Sequence, residues 1–346
     1  MQPGNLGSAL VFAVLPAAAL LAVIYWLDRY EKEPGRLLAI ALGLGAIVAP
    51  LVAFIIEKAA GVPSSLAAQS VVPKSRLSPW TPLIAELATG AAVLVTILLV
   101  RYEIDDLLDG LIYGAVVGVG FGLAANFIAI LSTQPLGGDA SASLFTTMVA
   151  GLNHVLYGAV IGLVVAAFRR GAVGGLVVGA LIGSALAFGL AILHDYLPWW
   201  FAGTPSAASG SSLSGVLAEI PTYFGLVALA VLAAWALYRE GEIVGRELHE
   251  EVGRSITEDE YDIVTNPFRR FGVMTRAIYT GGPDFGPRRR LYSTAVELAF
   301  RKHHRRTDRV PARQWLEEDV YRERLAQTRG ELNQVLEQAS RRRTAA

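Results

Sequence analysis

The chain has no cysteine among its 346 residues, which excludes disulfides, thiolate nucleophiles and cysteine-ligated zinc or iron–sulfur centres. It is also poor in cations where it is most apolar: residues 1–238 hold only nine of the 30 Lys and Arg, and the other 21 lie in residues 239–346 with 18 acids. A formal net charge of zero therefore conceals two regions of opposite character. No basic run precedes the first apolar stretch. That stretch ends in Tyr25-Trp26-Leu27-Asp28-Arg29-Tyr30 rather than in small residues. Both features predict a retained membrane span and not a cleaved signal peptide.

Hydrophobic residues make up 53% of the chain. A spanning helix needs about 20 mainly apolar residues. Seven stretches meet that length, at roughly 7–27, 37–56, 81–100, 108–132, 144–168, 173–197 and 214–237. The expected fold is an all-α, polytopic membrane helix bundle of about seven spans (residues 1–238), followed by a polar, helical cytoplasmic tail (239–346). Glycine is frequent in the fourth and sixth stretches, where small residues let helix backbones approach closely.

Loop charges predict orientation. Arg29, Lys32 and Arg36 follow the first stretch, Arg101 the third, and Arg169 and Arg170 the fifth, whereas the fourth and sixth loops carry no Lys or Arg. Lys58, Lys74 and Arg76 are spread over the longer second loop. The expectation is an integral plasma-membrane protein with its N-terminus outside and its tail in the cytoplasm. Trp80, Trp199 and Trp200 would then mark the outer interface.

Polar side chains inside such spans are costly and face the bundle interior or a wet cavity. Five stand out: Glu86, Asn126, His154, His194 and Glu219. At a rise of about 1.5 Å per residue, all five fall in the outer half of the bilayer, roughly 5–15 Å below its surface. Similar depth on five spans argues for one shared cavity open to the outside. Asn126 equally suits an interhelical hydrogen bond. Glu219, beside Ile220-Pro221, and His194, beside Asp195, equally suit an interfacial position. Asp105, Asp106 and Asp109 read as a solvated turn entering a helix, where acids favour the N-terminus.

The run from Asp109 to Asn126 carries Asp109-Gly110, Tyr113-Gly114, Gly118 and Gly120-Phe121. It resembles the D-G-x-x-Y-G-x-x-x-G-x-G-F-x-x-x-E-N pattern of the PrsW family of intramembrane proteases, which is similar to the type II CAAX prenyl proteases. Thr81 to Thr89 aligns with the family's A-P-x-x-E-E-x-x-K, and Asn153-His154 and Leu193-His194 with its two histidine motifs. The segments Asp28–Pro34 and Ala295–Lys302 also look like the family. Three motif positions differ: Ala85 stands for the first paired glutamate, Thr89 for the lysine and Ala125 for the glutamate before Asn126.

The resemblance implies peptide hydrolysis within the membrane, with Glu86, His154, His194 and Asn126 as candidate catalytic residues. Such chemistry needs a base to activate water and a donor or metal for the oxyanion. A zinc mechanism would take Glu86, His154 and His194 as ligands and leave only Glu219 as base. A glutamate mechanism would have Glu86 activate water with the imidazoles as donors, and needs no cofactor. The implied substrates are single-span, membrane-anchored proteins of the anti-sigma-factor type. The missing carboxylates and lysine point to weakened or lost hydrolysis, and so to the alternative of a non-catalytic scaffold or binding protein. A small-solute transporter ranks last, since no inverted repeat is visible.

In the tail, Glu240–Arg254 reads as a continuation of the last span, and Leu291–Arg306 and Pro311–Arg343 as helices. Thr265–Arg290, rich in Gly, Pro and Arg, reads as a loop or linker. The run Arg301-Lys302-His303-His304-Arg305-Arg306 reads as a solvated basic helix end near anionic lipid. A tail net charge of only +3 argues against nucleic acid as a partner.

Overall fold

A computed structural model describes residues 3–27, 33–66, 78–101, 104, 107–132, 140–169, 172–202, 213–279, 282–307 and 318–344. Among them the regular structure is helical. Each of the seven apolar stretches forms a helix: α1 (Pro3–Leu27), α2 (Gly35–Ala60), α3 (Trp80–Leu99), α4 (Leu107–Ser132), α5 (Ala140–Ala167), α6 (Val173–Ala202) and α7 (Leu213–Leu248). Helices are forced here because lipid offers no hydrogen bonds to the backbone. Five contain windows long and apolar enough to cross a membrane, within α2, α3, α4, α6 and α7; shorter apolar windows, Leu10–Tyr25 and Gly151–Ala167, lie in α1 and α5. The chain is thus an all-α polytopic membrane protein.

The chain divides into two compact units, the first ending at Ala233 and the second beginning at Ala234. In the first, α4 is the most enclosed span and packs against α1, α2, α3 and α5. Of its apolar window 67% is buried, against 11% for α7, the least enclosed. The spacing of glycines explains why α4 sits so deep. Gly110, Gly114, Gly118 and Gly122 recur every fourth residue and so share one helix face. That face meets Gly151, Gly158 and Gly162 of α5 backbone to backbone. A Cβ on Gly118 would collide with the carbonyl of His154, and one on Gly158 would lie 2.9 Å from the amide nitrogen of Gly118. This seam fixes the depth of α5 against α4.

α2 contains a π-helical turn, Leu44–Val48, whose backbone lies against Val117 and Gly120 of α4. Gly61 ends α2 in the left-handed region at φ 67°, and Val62 donates its N–H back to the Glu57 carbonyl at 3.0 Å. The connection into α3 is pinned there: the buried Glu57 carboxylate accepts from the Ser65 amide at 3.0 Å, and Thr81 donates to the Pro63 carbonyl at 2.9 Å. At the other end of α2, the Tyr113 hydroxyl of α4 donates to buried Glu33 at 2.6 Å.

The second unit continues from α7 through a 3-10 turn (His249–Glu251) into α8 (Glu258–Thr265), α9 (Pro267–Tyr279), α10 (Phe285–Thr307) and α11 (Glu318–Thr344). The 265–290 segment is therefore not a loop. Pro267 occupies the first helical position, where its missing N–H costs nothing. Leu291, Leu298, Leu325 and Leu332 form the apolar contact of α10 with α11. The basic end of α10 is not a free lipid-facing patch either. Lys302 is 5% exposed and donates to Glu250 and Glu251, each at 3.1 Å. Arg306 reaches Glu247 at 3.1 Å and Arg305 reaches Glu318 at 3.0 Å. The side chain of His304 and residues 308–317, including Pro311 and Trp315, lie outside the described residues.

Candidate active site

α3 carries Glu86 one turn before Gly90, on the face that turns inward. Glu86 is 1% exposed, and its neighbours Ala85, Thr89 and Gly90 are buried with it. Thr89 satisfies its hydroxyl locally by donating to the Ala85 carbonyl at 2.9 Å. α3 packs against α4, α5 and α6. Gly90 is seated on the buried Ser184 of α6, so the third and sixth spans touch directly below Glu86.

The seams between helices provide a common scale of depth. Gly183 of α6 lies against Ile161 of α5, with the two helices antiparallel. Because successive spans alternate in direction, α3 runs opposite to α6. Gly90, at Ser184, is then level with about residue 160 of α5, and Glu86 with about Tyr157. Asn126 of α4 is buried against Gly151 of α5. His194 of α6 is bonded to Asn153 of α5, with Asn153 Nδ2 3.1 Å from His194 Nε2. Residues 151 to 157 cover about 9 Å of helix, so Glu86, Asn126, His154 and His194 occupy one shallow slab of the bundle.

His194 contacts Asn153, the residue next to His154 in α5. His154 is framed by aromatic rings, with its centroid 4.6 Å from Phe121 and 6.1 Å from Tyr157. Its main chain is locked by the Gly118 contact, so the ring is fixed by both its backbone and its neighbours. His194 is half-buried, and the Asn153 amide sets which way its ring faces. The tautomer of His194 decides whether Asn153 donates; if it does, Nδ1 carries the proton.

Asn153 is the residue that sequence reasoning passed over. It stands beside His154 in the motif, but helical spacing puts adjacent residues about 100° apart, and only the packing of α5 on α6 shows that it serves His194. Ser184 and the Glu33–Tyr113 pair were missed for the same reason. Glu219 lies on α7 with its side chain outside the described residues, as do the side chains of Asp195, Trp199 and Trp200. Trp80 opens α3 and is 61% exposed. Asp109 is half-buried in the first turn of α4, and Asp105 and Asp106 lie outside the described residues.

The sequence matches the family model for the PrsW family intramembrane metalloproteases over residues 33–235. The chain belongs to this family. The match covers α2 to α6 and most of α7, and therefore every side chain of the slab. A comparison with curated proteins and with solved structures finds no match.

The family description implies a metal. A hydrolytic zinc site takes three protein ligands, and among the described residues no three His, Asp or Glu side chains are gathered as such a group. Glu86, His154 and His194 share a depth but do not form a three-ligand cluster. Apart from metal ligation, these side chains offer proton transfer by a carboxyl group and hydrogen bonding by imidazole and amide. Ala85 and Ala125, where the family has carboxylates, are 3% and 9% exposed and fill their positions with alkyl packing.

Proposed function

We propose that this PrsW-type chain is an intramembrane endopeptidase whose glutamate and histidines work without a bound metal, at a rate lowered by the loss of two motif carboxylates. The observation that carries this reading is the placement of Glu86. It is a carboxyl buried to 1% exposure, in a span without Lys or Arg, at the depth of two imidazoles on neighbouring helices. A carboxylate at the centre of a span costs about 2.5–3.5 kcal/mol on insertion scales, and Glu86, a third of the way into α3, bears part of that cost. Glu86 takes the proton of an attacking water; His154 and His194 donate to the developing oxyanion. Asn153 orients the second ring.

The proposed substrate is a single-span, membrane-anchored protein of the anti-sigma-factor type, cut near the outer face. The proposed orientation has the N-terminus outside and the tail in the cytoplasm, following the Lys and Arg of the odd-numbered loops. The slab then lies in the outer leaflet, where water and an unwound peptide meet most easily. Purified full-length chain reconstituted with a single-span anti-sigma-type protein tests the activity. Cleavage that disappears in Glu86→Gln and withstands chelators supports it, whereas cleavage abolished by a chelator and restored by zinc overturns the metal-free mechanism.

A second reading is a non-catalytic scaffold, favoured by Ala85 and Ala125 in the packed interior. It predicts no cleavage by the wild type, with pull-down of the same membrane protein unaffected by Glu86→Gln.

A further inference from the structure

Helix α9 is built inside out for a domain surrounded by water. Its Arg270 is 8% exposed and its Ala277 5% exposed, and these face the rest of the second unit. Phe268, Phe271, Ile278 and Tyr279 are 72%, 45%, 59% and 86% exposed. At 100° per residue these four fall within about a 100° arc. Arg269 and Arg276, both exposed, lie together beside that arc. The helix itself, Pro267 to Tyr279, carries three arginines and no acid.

The position of α9 in its unit tells which surface covers this arc. The second unit includes the end of the last span. There Trp235 and Tyr238 are 51% and 66% exposed, and the Arg239 guanidinium stacks over the Trp235 ring at 5.2 Å. An aromatic pair followed by an arginine marks where a span leaves the hydrocarbon. Seven residues on, Gly245 accepts from the Tyr261 hydroxyl at 3.1 Å, and Thr265 also packs against it. α9 begins two residues after Thr265. Its start therefore lies about 10 Å along α7 from the interfacial aromatics, close to the headgroup layer of the bilayer the chain already crosses.

We propose that α9 is an interfacial helix that seats Phe268, Phe271, Ile278 and Tyr279 at the headgroup–acyl boundary of an anionic membrane. Arg269 and Arg276 meet the lipid phosphates. The acids nearby do not oppose this. Asp262 pairs with Arg269 at 3.0 Å in an exposed bridge that exchanges readily for phosphate, Asp284 is held by Arg288 at 2.6 Å, and Glu260 by Arg329. Glu258 and Asp259 sit in the first turn of α8, eight or more residues before the apolar arc begins.

The lack of cysteine makes the test direct. Ile278→Cys, Tyr279→Cys and, as a solvent-exposed control on α11, Glu337→Cys are introduced singly into the full-length chain. Each is labelled with an environment-sensitive dye and placed in nanodiscs of phosphatidylcholine with or without phosphatidylglycerol. The expected result is quenching of the labels at 278 and 279 by acyl-chain spin-labelled lipid, with shielding from aqueous iodide, and the reverse for 337. Charge contributes about fivefold per arginine to docking, so R269Q/R276Q lowers the docked-to-free ratio about twenty-fivefold in the anionic discs. Labels at both positions that stay iodide-accessible in anionic discs overturn the proposal. So does equal lipid quenching with and without phosphatidylglycerol, and so does shielding that appears only when a second protein is added.

Discussion

Glu86 in the membrane unit and Glu251 in the tail are almost equally buried, at 1% and 3% exposure, but their surroundings differ. Glu251 accepts from Lys302 at 3.1 Å, from Arg322 at 2.8 Å and from Ser255 at 2.8 Å. Around Glu86, the stretches 81–100, 108–132, 144–168 and 173–197 contain no Lys or Arg. The tail can afford a buried carboxylate because cations fix its charge permanently. Glu86 instead lies on a span that carries no Lys or Arg of its own, packed against Ser184 of α6 through Gly90. Burial alone does not separate structural from chemical roles; the company a buried acid keeps does.

Four substitutions test that contrast. The largest effect is expected for Glu86→Gln. If Glu86 is a general base, cleavage of a reconstituted single-span substrate falls about a thousandfold, while the melting of the tail stays where it was. A variant that cleaves normally would reduce Glu86 to a packing residue. Lys302→Met should do the opposite. It leaves Glu251 with one cation fewer in a buried setting, a change that costs about 3 kcal/mol. Limited proteolysis of the full-length chain should show the 234–346 unit opening at lower temperature or denaturant concentration. If the tail is as resistant as wild type, its ion network is ornamental.

Tyr113→Phe removes the hydroxyl that Glu33 accepts. Hydrogen bonds to charged groups are worth about 2 kcal/mol, and this loss should appear as reduced thermal stability in detergent. Equal stability would mean that water replaces the hydroxyl. Asn153→Ala should have the smallest effect, about 1 kcal/mol or roughly fivefold in cleavage rate, through a mis-set His194 ring. Asn153→Gln should recover part of it. An unchanged rate in the alanine variant would detach His194 from the reaction.

The spans were legible because their signal is a matter of length and apolar content: the stretch 37–56 lies inside Gly35–Ala60, and 108–132 inside Leu107–Ser132. A fixed rise per residue turns sequence position into distance, so a common level for Glu86, Asn126, His154 and His194 could be read from the sequence; Glu219, read at the same level, has its side chain outside the described residues. Lateral neighbours were not. Nothing in the spacing of Asn153 announces that it reaches His194 across a helix boundary, or that Tyr113 reaches Glu33 eighty positions away. In the tail the reading of 265–290 failed because Gly and Pro were weighed by number rather than by place. Pro267 starts a helix, and Gly272 sits on an exposed side of it where no side chain is missed. The basic run 301–306 misled in another way, because the carboxylates that neutralise it, Glu247, Glu250 and Glu251, lie some fifty residues upstream.

The glycine seam between α4 and α5 constrains how this bundle can move. Where carbonyls of one helix fit into notches of the other, sliding by even a fraction of a turn drives main chain into main chain. The fourth and fifth spans thus behave as a riveted plate, and Asn126 and His154 keep their mutual register through any breathing of the protein. On the proposed function, a substrate segment cannot enter between these two helices. Its place is then elsewhere in the bundle, against spans outside this glycine seam.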